Sequence, residues 1–193
     1  MTQSILILDF GGQYCHLISR RFREIGIPSY IFPYNIDEDE LRKIVKESEV
    51  RGVVLSGGPA SVYEEGAPKL TPSIFSFNLP VLGICYGHQL IAKMVGGKVV
   101  KLKRREYGES EVEIVNNKVG ILKGLDRKER VWMSHGDNVV ELPFGFEIVA
   151  KSENSPIAAF QSIEKKIFSV QWHPEVAHSE HGTEILKNFT EIC

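Results

Sequence analysis

Short apolar runs alternate with stretches of helical periodicity over the first half of the chain. Residues 4–8 form an apolar run that leads through Asp9, Phe10, Gly11 and Gly12 into a stretch where Tyr14, Leu17, Ile18, Arg21, Phe22 and Ile25 recur at helical spacing. This predicts a strand, a glycine turn and a helix. Residues 28–32 predict a second strand, residues 37–49 a charged amphipathic helix with Leu41, Ile44 and Val45 inward, and residues 52–55 a third strand ending at Ser56-Gly57-Gly58-Pro59. Residues 60–72, rich in glycine, proline and charge, predict a surface loop, with Thr71 capping a short helix that starts at Pro72. Residues 81–84 are again apolar and run through a sharp turn into a helix whose Leu90, Ile91, Met94 and Val95 form an apolar stripe, ended by Gly96-Gly97.

From Lys98 the period changes to alternation. Residues 99–102, 110–115 and 131–134 predict short antiparallel strands, 146–150, 157–161 and 167–171 three more, and 180–192 a closing helix with Ile185, Leu186 and Phe189 inward. Strand–helix alternation followed by alternating strands implies an α/β fold: an open, mostly parallel sheet flanked by helices, with a small antiparallel sheet appended. The predicted strands end near Leu55, Ile84, Met133 and Gln171, and in an open α/β sheet that edge is where ligands bind.

A length of 193 residues with 42% hydrophobic content suits one domain over residues 1–193. The net charge of −2 supplies no basic field for nucleic acid. The local cluster Lys101, Lys103, Arg104 and Arg105 reads as a solvated face or a protein-partner surface ahead of a nucleic-acid site. Cys15, Cys85 and Cys193 make neither an even disulfide framework nor a Cys-x-x-Cys pair, which favours a reducing compartment. No charged leader is visible and no apolar run approaches roughly 18 residues, so a cytoplasmic location is expected. A Gly-x-Gly-x-x-Gly dinucleotide fingerprint is absent after the first strand, as is a phosphate-binding Gly-x-x-x-x-Gly-Lys loop. His173, His178 and His181 lack the matched Cys or Asp ligands of a metal site.

The turn at Gly83-Ile84-Cys85-Tyr86-Gly87 carries the chemistry. A nucleophile on a strand-to-helix elbow needs small residues two before and two after it, because strand and helix pack closely there. A thiol at a helix N-terminus is favoured as thiolate, and the Tyr86 backbone N–H is placed to stabilise an oxyanion. His173 is the best-placed base: Glu175 lies on the same side of an extended segment, and Pro174 stiffens the link between them. Cys85, His173 and Glu175 would be nucleophile, base and orienter. Gly58, in a glycine pair at a strand's end, is a second candidate oxyanion donor. His88 is expected to pack or face solvent.

The elbow through His88-Gln89, the early Ser56-Gly57-Gly58-Pro59 and the late His173-Pro174-Glu175 resemble, in order and separation, the class I, triad-type glutamine amidotransferases. Ile5-Leu6-Ile7-Leu8-Asp9-Phe10-Gly11-Gly12-Gln13-Tyr14, Gly57-Gly58-Pro59-Ala60-Ser61-Val62-Tyr63, Trp132-Met133-Ser134-His135-Gly136-Asp137 and residues 181–189 are similar, more narrowly, to the amidotransferase part of GMP synthetases. The resemblance runs nearly end to end and implies a flavodoxin-like sheet. It also implies that Gln89 helps hold glutamine, with Gly57, Ser134, His135 and Gly136 at the substrate, while His135 and Asp137 also turn toward a partner.

That partner would be a separate ATP-pyrophosphatase subunit, which adenylates XMP using Mg-ATP and takes up ammonia to make GMP. No cofactor is implied for this chain itself. Its expected docking rim is residues 60–69, 101–107 and 135–138. Two positions depart from the family pattern: Gly12, where many relatives carry Ser, and Trp172, where Phe is commoner and a bulkier ring beside the base could reshape the pocket. The rival readings are an amidotransferase for anthranilate or carbamoyl phosphate synthesis, an idle regulatory subunit on the same fold, and a general cysteine hydrolase. The blocks at Asp9 and Ser134 argue against the first, and the complete triad against the second.

Overall fold

Strands buried on both faces read as continuous apolar runs, and such strands pair in parallel when helices cover both sides. The computed structural model describes residues 3–193, with the side chains at 102–104 outside that description. In it β1 (Ser4–Asp9) lies between β2 (Ser29–Pro33) and β3 (Val50–Leu55), and β4 (Val81–Ile84) and β9 (Ile167–Val170) continue the parallel array. β8 (Ala159–Ser162), β7 (Glu147–Ser152), β5 (Lys98–Ile114) and β6 (Lys128–Glu141) extend it antiparallel. Among the described residues the strands form one nine-stranded sheet in the order β2-β1-β3-β4-β9-β8-β7-β5-β6. The antiparallel part is thus continuous with the parallel part, as a mostly parallel centre with antiparallel strands at one end.

The alternation within β1 divides the core. Ile5 and Ile7 join Ile18 and Phe22 of α1 (Cys15–Glu24) and Ile185, Leu186 and Phe189 of α4 (Gly182–Ile192) on one face. Leu6 and Leu8 join Leu41 of α2 (Glu38–Glu47) and Leu90 and Ile91 of α3 (Tyr86–Met94) on the other. Each fully buried aliphatic side chain of this kind stabilises the fold by about 1.5–3 kcal/mol before entropy is counted. α2 starts at Asp37, whose Oδ1 accepts from Asp39 N at 2.9 Å and Glu40 N at 3.3 Å.

Three expectations need correcting. The predicted short strands around 99–102 and 110–115 are one strand, β5, which pairs along β6 with a register shift between Lys101 and Glu106. Ser134 to Asp137 lie inside β6, not after a strand, so the site takes an edge of the sheet here and not a strand's end. Thr71 stands at the cap of a 3-10 turn, Pro72–Phe77, without a side-chain cap bond; Pro72 alone sets its start. The loop after β3 lies at the surface as expected and is pinned there: Val62 and Leu70 are buried and Tyr86 donates its hydroxyl to Pro68 O at 2.5 Å. Of the basic cluster, the side chains of Lys103 and Arg104 lie outside the described residues. Among the described residues no helix is long and apolar enough to cross a membrane.

Candidate active site

β4 is buried along its whole length and stops at Ile84. Cys85 takes φ 53° and ψ −102°, and α3 begins at the next residue. A non-glycine residue in that region stores on the order of 1–3 kcal/mol of strain, which persists only where neighbours fix it. Here Cys85 N donates to Val170 O at 2.9 Å and Gln89 N to Cys85 O at 3.2 Å. The flanking glycines are demanded by crowding. A Cβ at Gly83 would stand 2.6 Å from Gly87 O, and one at Gly87 2.4 Å from Leu55 O.

His173 follows β9 on the segment leading to α4. Glu175 Oε1 lies 2.7 Å from its Nδ1, so the ring's other nitrogen is left for a reacting partner. Glu175 is fully buried, its Oε2 has no hydrogen-bond partner, and its backbone carbonyl accepts from Arg21 Nε at 2.8 Å. Burial opposes a charge on His173, but negative charge at Cys85 and then at Glu175, with hydrogen bonds to both, outweighs it. The imidazolium is therefore favoured well above the usual histidine range. Tyr14 packs edge-on against the imidazole, ring centroids 5.0 Å apart.

Gly57 packs against both His173 and Cys85. A Cβ there would be 2.9 Å from His173 Cε1 and 3.5 Å from Cys85 Cβ. Gly58 is as closely fitted, since a Cβ there would stand 2.6 Å from Phe10 O, and one at Gly12 would touch Gly57 O at 2.4 Å. A serine at position 12 would therefore need residue 57, and with it the catalytic gap, to shift. Ser56 braces this turn: its hydroxyl accepts from Phe10 N at 3.0 Å and donates to Gly57 O at 2.9 Å.

β6, the end strand of the sheet, turns the backbone of alternate residues outward. Arg130 N donates to Glu180 Oε2 and Arg130 O accepts from Glu180 N; Trp132 N donates to Ser179 Oγ and Trp132 O accepts from His173 N. Two residues on, Ser134 O accepts the Cys85 thiol at 3.4 Å. One strand edge thus holds both the segment that carries His173 and the side chain of Cys85.

These residues open onto a cavity of about 600 Å³ lined by Cys85, Tyr86, His173, Gly57, Gly58, Gln89 and the 134–136 stretch of β6. The structure therefore brings together every candidate except Glu175, which lies behind His173 with no exposed surface. Tyr14, Glu64, Lys101, Arg105 and Tyr107 also line the cavity. Of these, Glu64 and the 101–107 residues fall within the expected docking rim.

Gln89 donates from Nε2 to Asp137 O at 3.0 Å and to Gln171 Oε1 at 3.1 Å, so it braces the cavity wall as well as facing the space inside. His135 and Asp137, expected to turn toward a partner, lie in the cavity wall. Both are buried: His135 lies between Asp137 O at 2.9 Å and Glu106 Oε2 at 3.0 Å, and Tyr63 donates its hydroxyl to Asp137. With both ring nitrogens of His135 committed, this stretch offers a ligand its backbone. Burial opposes a charge on Glu106, but hydrogen bonds from His135 and then Ser110 hold its carboxyl below the usual range. Sequence reasoning missed Glu106, Ser56, Ser179 and Arg21, because each acts through a partner distant in the chain.

Trp172 points into the core beside β9, fully buried, with its indole N–H unpartnered; it is not part of the cavity wall. His88 packs against Phe160, between Ser169 Oγ and Ile157 O, and burial pushes its pKa down to about 3. His178 stacks on Trp132 and His181 bonds Glu129 Oε2 at 2.8 Å. Among the described residues no group of three or more His, Cys, Asp or Glu side chains is arranged to hold a metal ion.

The site thus sets a strained cysteine on a strand-to-helix elbow beside a His–Glu pair from the end of a neighbouring parallel strand, and comparison with known proteins places the whole chain in one family. Residues 6–193 match it: the chain belongs to the class I glutamine amidotransferases. Within that family it is similar to the glutamine-hydrolysing GMP synthase of Caldanaerobacter subterraneus, 51% identical over 192 residues that make up 99% of this chain and 36% of that protein. It is likewise 51% identical, over 98% of its length, to the GMP synthase of Caldicellulosiruptor saccharolyticus. The chain thus spans about a third of the length of the curated relatives it matches, 36% of each of these two. Among solved structures, a Thermoplasma acidophilum protein described as a GMP synthase subunit superposes with a TM-score of 0.87 at 36% identity, covering 100% of this chain and 94% of that one. A glutamine amidotransferase of Thermotoga maritima, at 24% identity and a TM-score of 0.69, shares the fold.

Proposed function

We propose that the chain is the glutaminase component of a GMP synthase, a single amidotransferase domain that frees ammonia from glutamine. The observation that carries the reading is the opening of strained Cys85 and the His173–Glu175 pair, 2.7 Å between Nδ1 and Oε1, onto one cavity. The Cys85 thiolate attacks the side-chain amide carbon of glutamine. A C–S bond forms while the carbonyl electron pair moves to oxygen, where the N–H groups of Gly58 and Tyr86 receive it. His173 gives its proton to the amide nitrogen, the C–N bond breaks and ammonia leaves. Water then attacks the thioester as His173 takes its proton; the C–S bond breaks and glutamate departs with the thiolate restored.

Gln89, Gly57 and the backbone of Ser134, His135 and Gly136 hold the amino-acid end of the substrate. The ammonia passes to an ATP-pyrophosphatase partner that uses Mg-ATP to adenylate XMP and yields GMP. The high identity to glutamine-hydrolysing GMP synthases supports this acceptor over anthranilate or carbamoyl phosphate synthesis, and the near-complete coverage of the Thermoplasma chain supports a separate subunit. A cytoplasmic location accords with three free cysteines.

The test is glutamate release from glutamine by the chain alone and with the pyrophosphatase partner, XMP and Mg-ATP. Cys85→Ala is expected to lower it on the order of 10⁴-fold or more. Near wild-type release by Cys85→Ala, or no GMP when the complete mixture is supplied, overturns the reading.

A further inference from the structure

The bond between His173 and Glu175 orients the imidazole but cannot place it, because both residues ride on one segment and would move together. The last sheet bond before the base is Gln171 N to Ala158 O at 2.8 Å, and α4 begins only at Gly182. Between these points the segment needs anchors on the rest of the molecule. Arg21 holds Glu175 O. At His173 itself, N–H donates to Trp132 O at 3.1 Å, while the carbonyl accepts the Ser179 hydroxyl at 2.6 Å and, at a longer 3.4 Å, Val176 N–H. Ser179 Oγ in turn accepts from Trp132 N at 3.0 Å.

The result is a closed bridge between two backbones with a hydroxyl inserted on one side. Trp132 grips His173 directly through its carbonyl and, through Ser179, by its amide. A hydroxyl suits the place because one oxygen must donate and accept at once. Ser179 is buried, so removing the hydroxyl strands the Trp132 N–H away from water and leaves His173 O only the long contact from Val176 N–H. The segment has little slack elsewhere: a Cβ at Gly182 would fall 1.9 Å from Pro174 O. Two residues beyond Trp132, Ser134 O touches the thiol of Cys85.

We propose that Ser179 is a positioning residue: its hydroxyl locks His173 onto the same strand edge that holds Cys85, and so sets the gap between imidazole and thiol. The proposal rests on the Cys85–His173 reading. Misplacement of about 1 Å in such a pair lowers the rate roughly 10²-fold.

The experiment follows the rate of Cys85 alkylation by iodoacetamide at one fixed pH, with the modified peptide quantified by mass spectrometry, together with glutamine hydrolysis under conditions that give the wild type its full rate. Ser179→Ala should alkylate several-fold more slowly than wild type and lower kcat roughly 10- to 100-fold with KM changed less than about twofold. Ser179→Thr should restore both. Arg130→Ala, which removes an exposed fastener of the same segment, should leave both unchanged. Should Ser179→Ala not fold, Ser179→Thr is compared with Ser179→Cys, whose thiol is a weak donor and acceptor; threonine is expected to behave as wild type and cysteine as impaired.

An unchanged alkylation rate and kcat in Ser179→Ala, or equal impairment in threonine and cysteine variants, overturns the positioning role while leaving the triad intact. Hydrolysis that survives Cys85→Ala at near the wild-type rate overturns the triad and the positioning role together.

Discussion

His173 Nδ1 and Glu175 Oε1 stand 2.7 Å apart, and the other oxygen of that fully buried carboxylate touches no hydrogen-bond donor. Nearly everything Glu175 does is therefore done through one contact. Charge at Cys85 and at Glu175 favours the imidazolium against the burial that opposes it. Glu175→Gln keeps the shape and removes the charge, so the protonated ring is less favoured. Cys85 alkylation is expected to slow, and glutamine hydrolysis to fall roughly 10²- to 10⁴-fold as the ring loses its orienting anion. Both are read from the labelling and hydrolysis assays described above; an unchanged labelling rate would contradict the coupling.

Gly57 offers a second check. An added methyl group would lie 2.9 Å from His173 Cε1, closer than real side chains come, and 3.5 Å from Cys85 Cβ. Gly57→Ala is expected to fold, because the obstructing atoms belong to one side chain, yet to lose roughly 10²-fold in kcat as base and nucleophile part. Thermal unfolding beside steady-state kinetics separates the two effects. Wild-type kinetics would show that the imidazole has room to yield.

Trp172→Phe should change stability and spare activity. The indole fills the core, so a smaller ring leaves a void worth about 1–3 kcal/mol, but the variant also removes a buried N–H without a partner, whose penalty is of similar size. A net change within about 1.5 kcal/mol follows from those opposed contributions. KM for glutamine should stay within about twofold, because the ring points away from the cavity. Denaturant unfolding and initial rates measure the pair.

His181 begins α4 and bonds the buried carboxylate of Glu129, which raises its pKa through that hydrogen bond first and their opposite charges second. The folded value lies above the unfolded one, so the stabilisation is complete below the ordinary histidine pKa of about 6.5 and fades as pH climbs through the raised value. His181→Asn, which tolerates the left-handed backbone there, is expected to melt below wild type at about pH 5.5 and to match it at about pH 9. A gap that widened with pH would reverse the sign.

Much of this site could be read before the structure, because its parts are local. Gly83 and Gly87 flank Cys85 at fixed spacing, Pro174 separates His173 from Glu175, and each pattern follows from the backbone within a few residues. The parallel strands were legible for the same reason, as unbroken apolar runs. The long hairpin was not. Lys103, Arg104 and Arg105 interrupt the alternation as consecutive basic residues, and the register shift between Lys101 and Glu106 places an irregularity where the pattern fails. The predicted strand stopped at Ser134, whereas β6 runs on through Gly136, which gives room to the Arg105 side chain, 3.3 Å from where a Cβ would stand. Ser179 sits in a polar stretch whose neighbours give no hint of Trp132, 47 residues away. Hydrogen bonds of that reach leave no period in a sequence.

The outer side of β6 has a further consequence. An end strand with bare N–H and C=O groups is a template on which another chain can add, and folded proteins cover or blunt such edges. Here the covering is the segment from His173 to Glu180, which lies along Arg130 and Trp132. The piece of chain that aligns the base is thus also what keeps that edge from pairing with a neighbour. On the proposed role of His173, lifting this segment would misplace the base and bare a strand edge in one movement, so the same few hydrogen bonds would serve both catalysis and solubility.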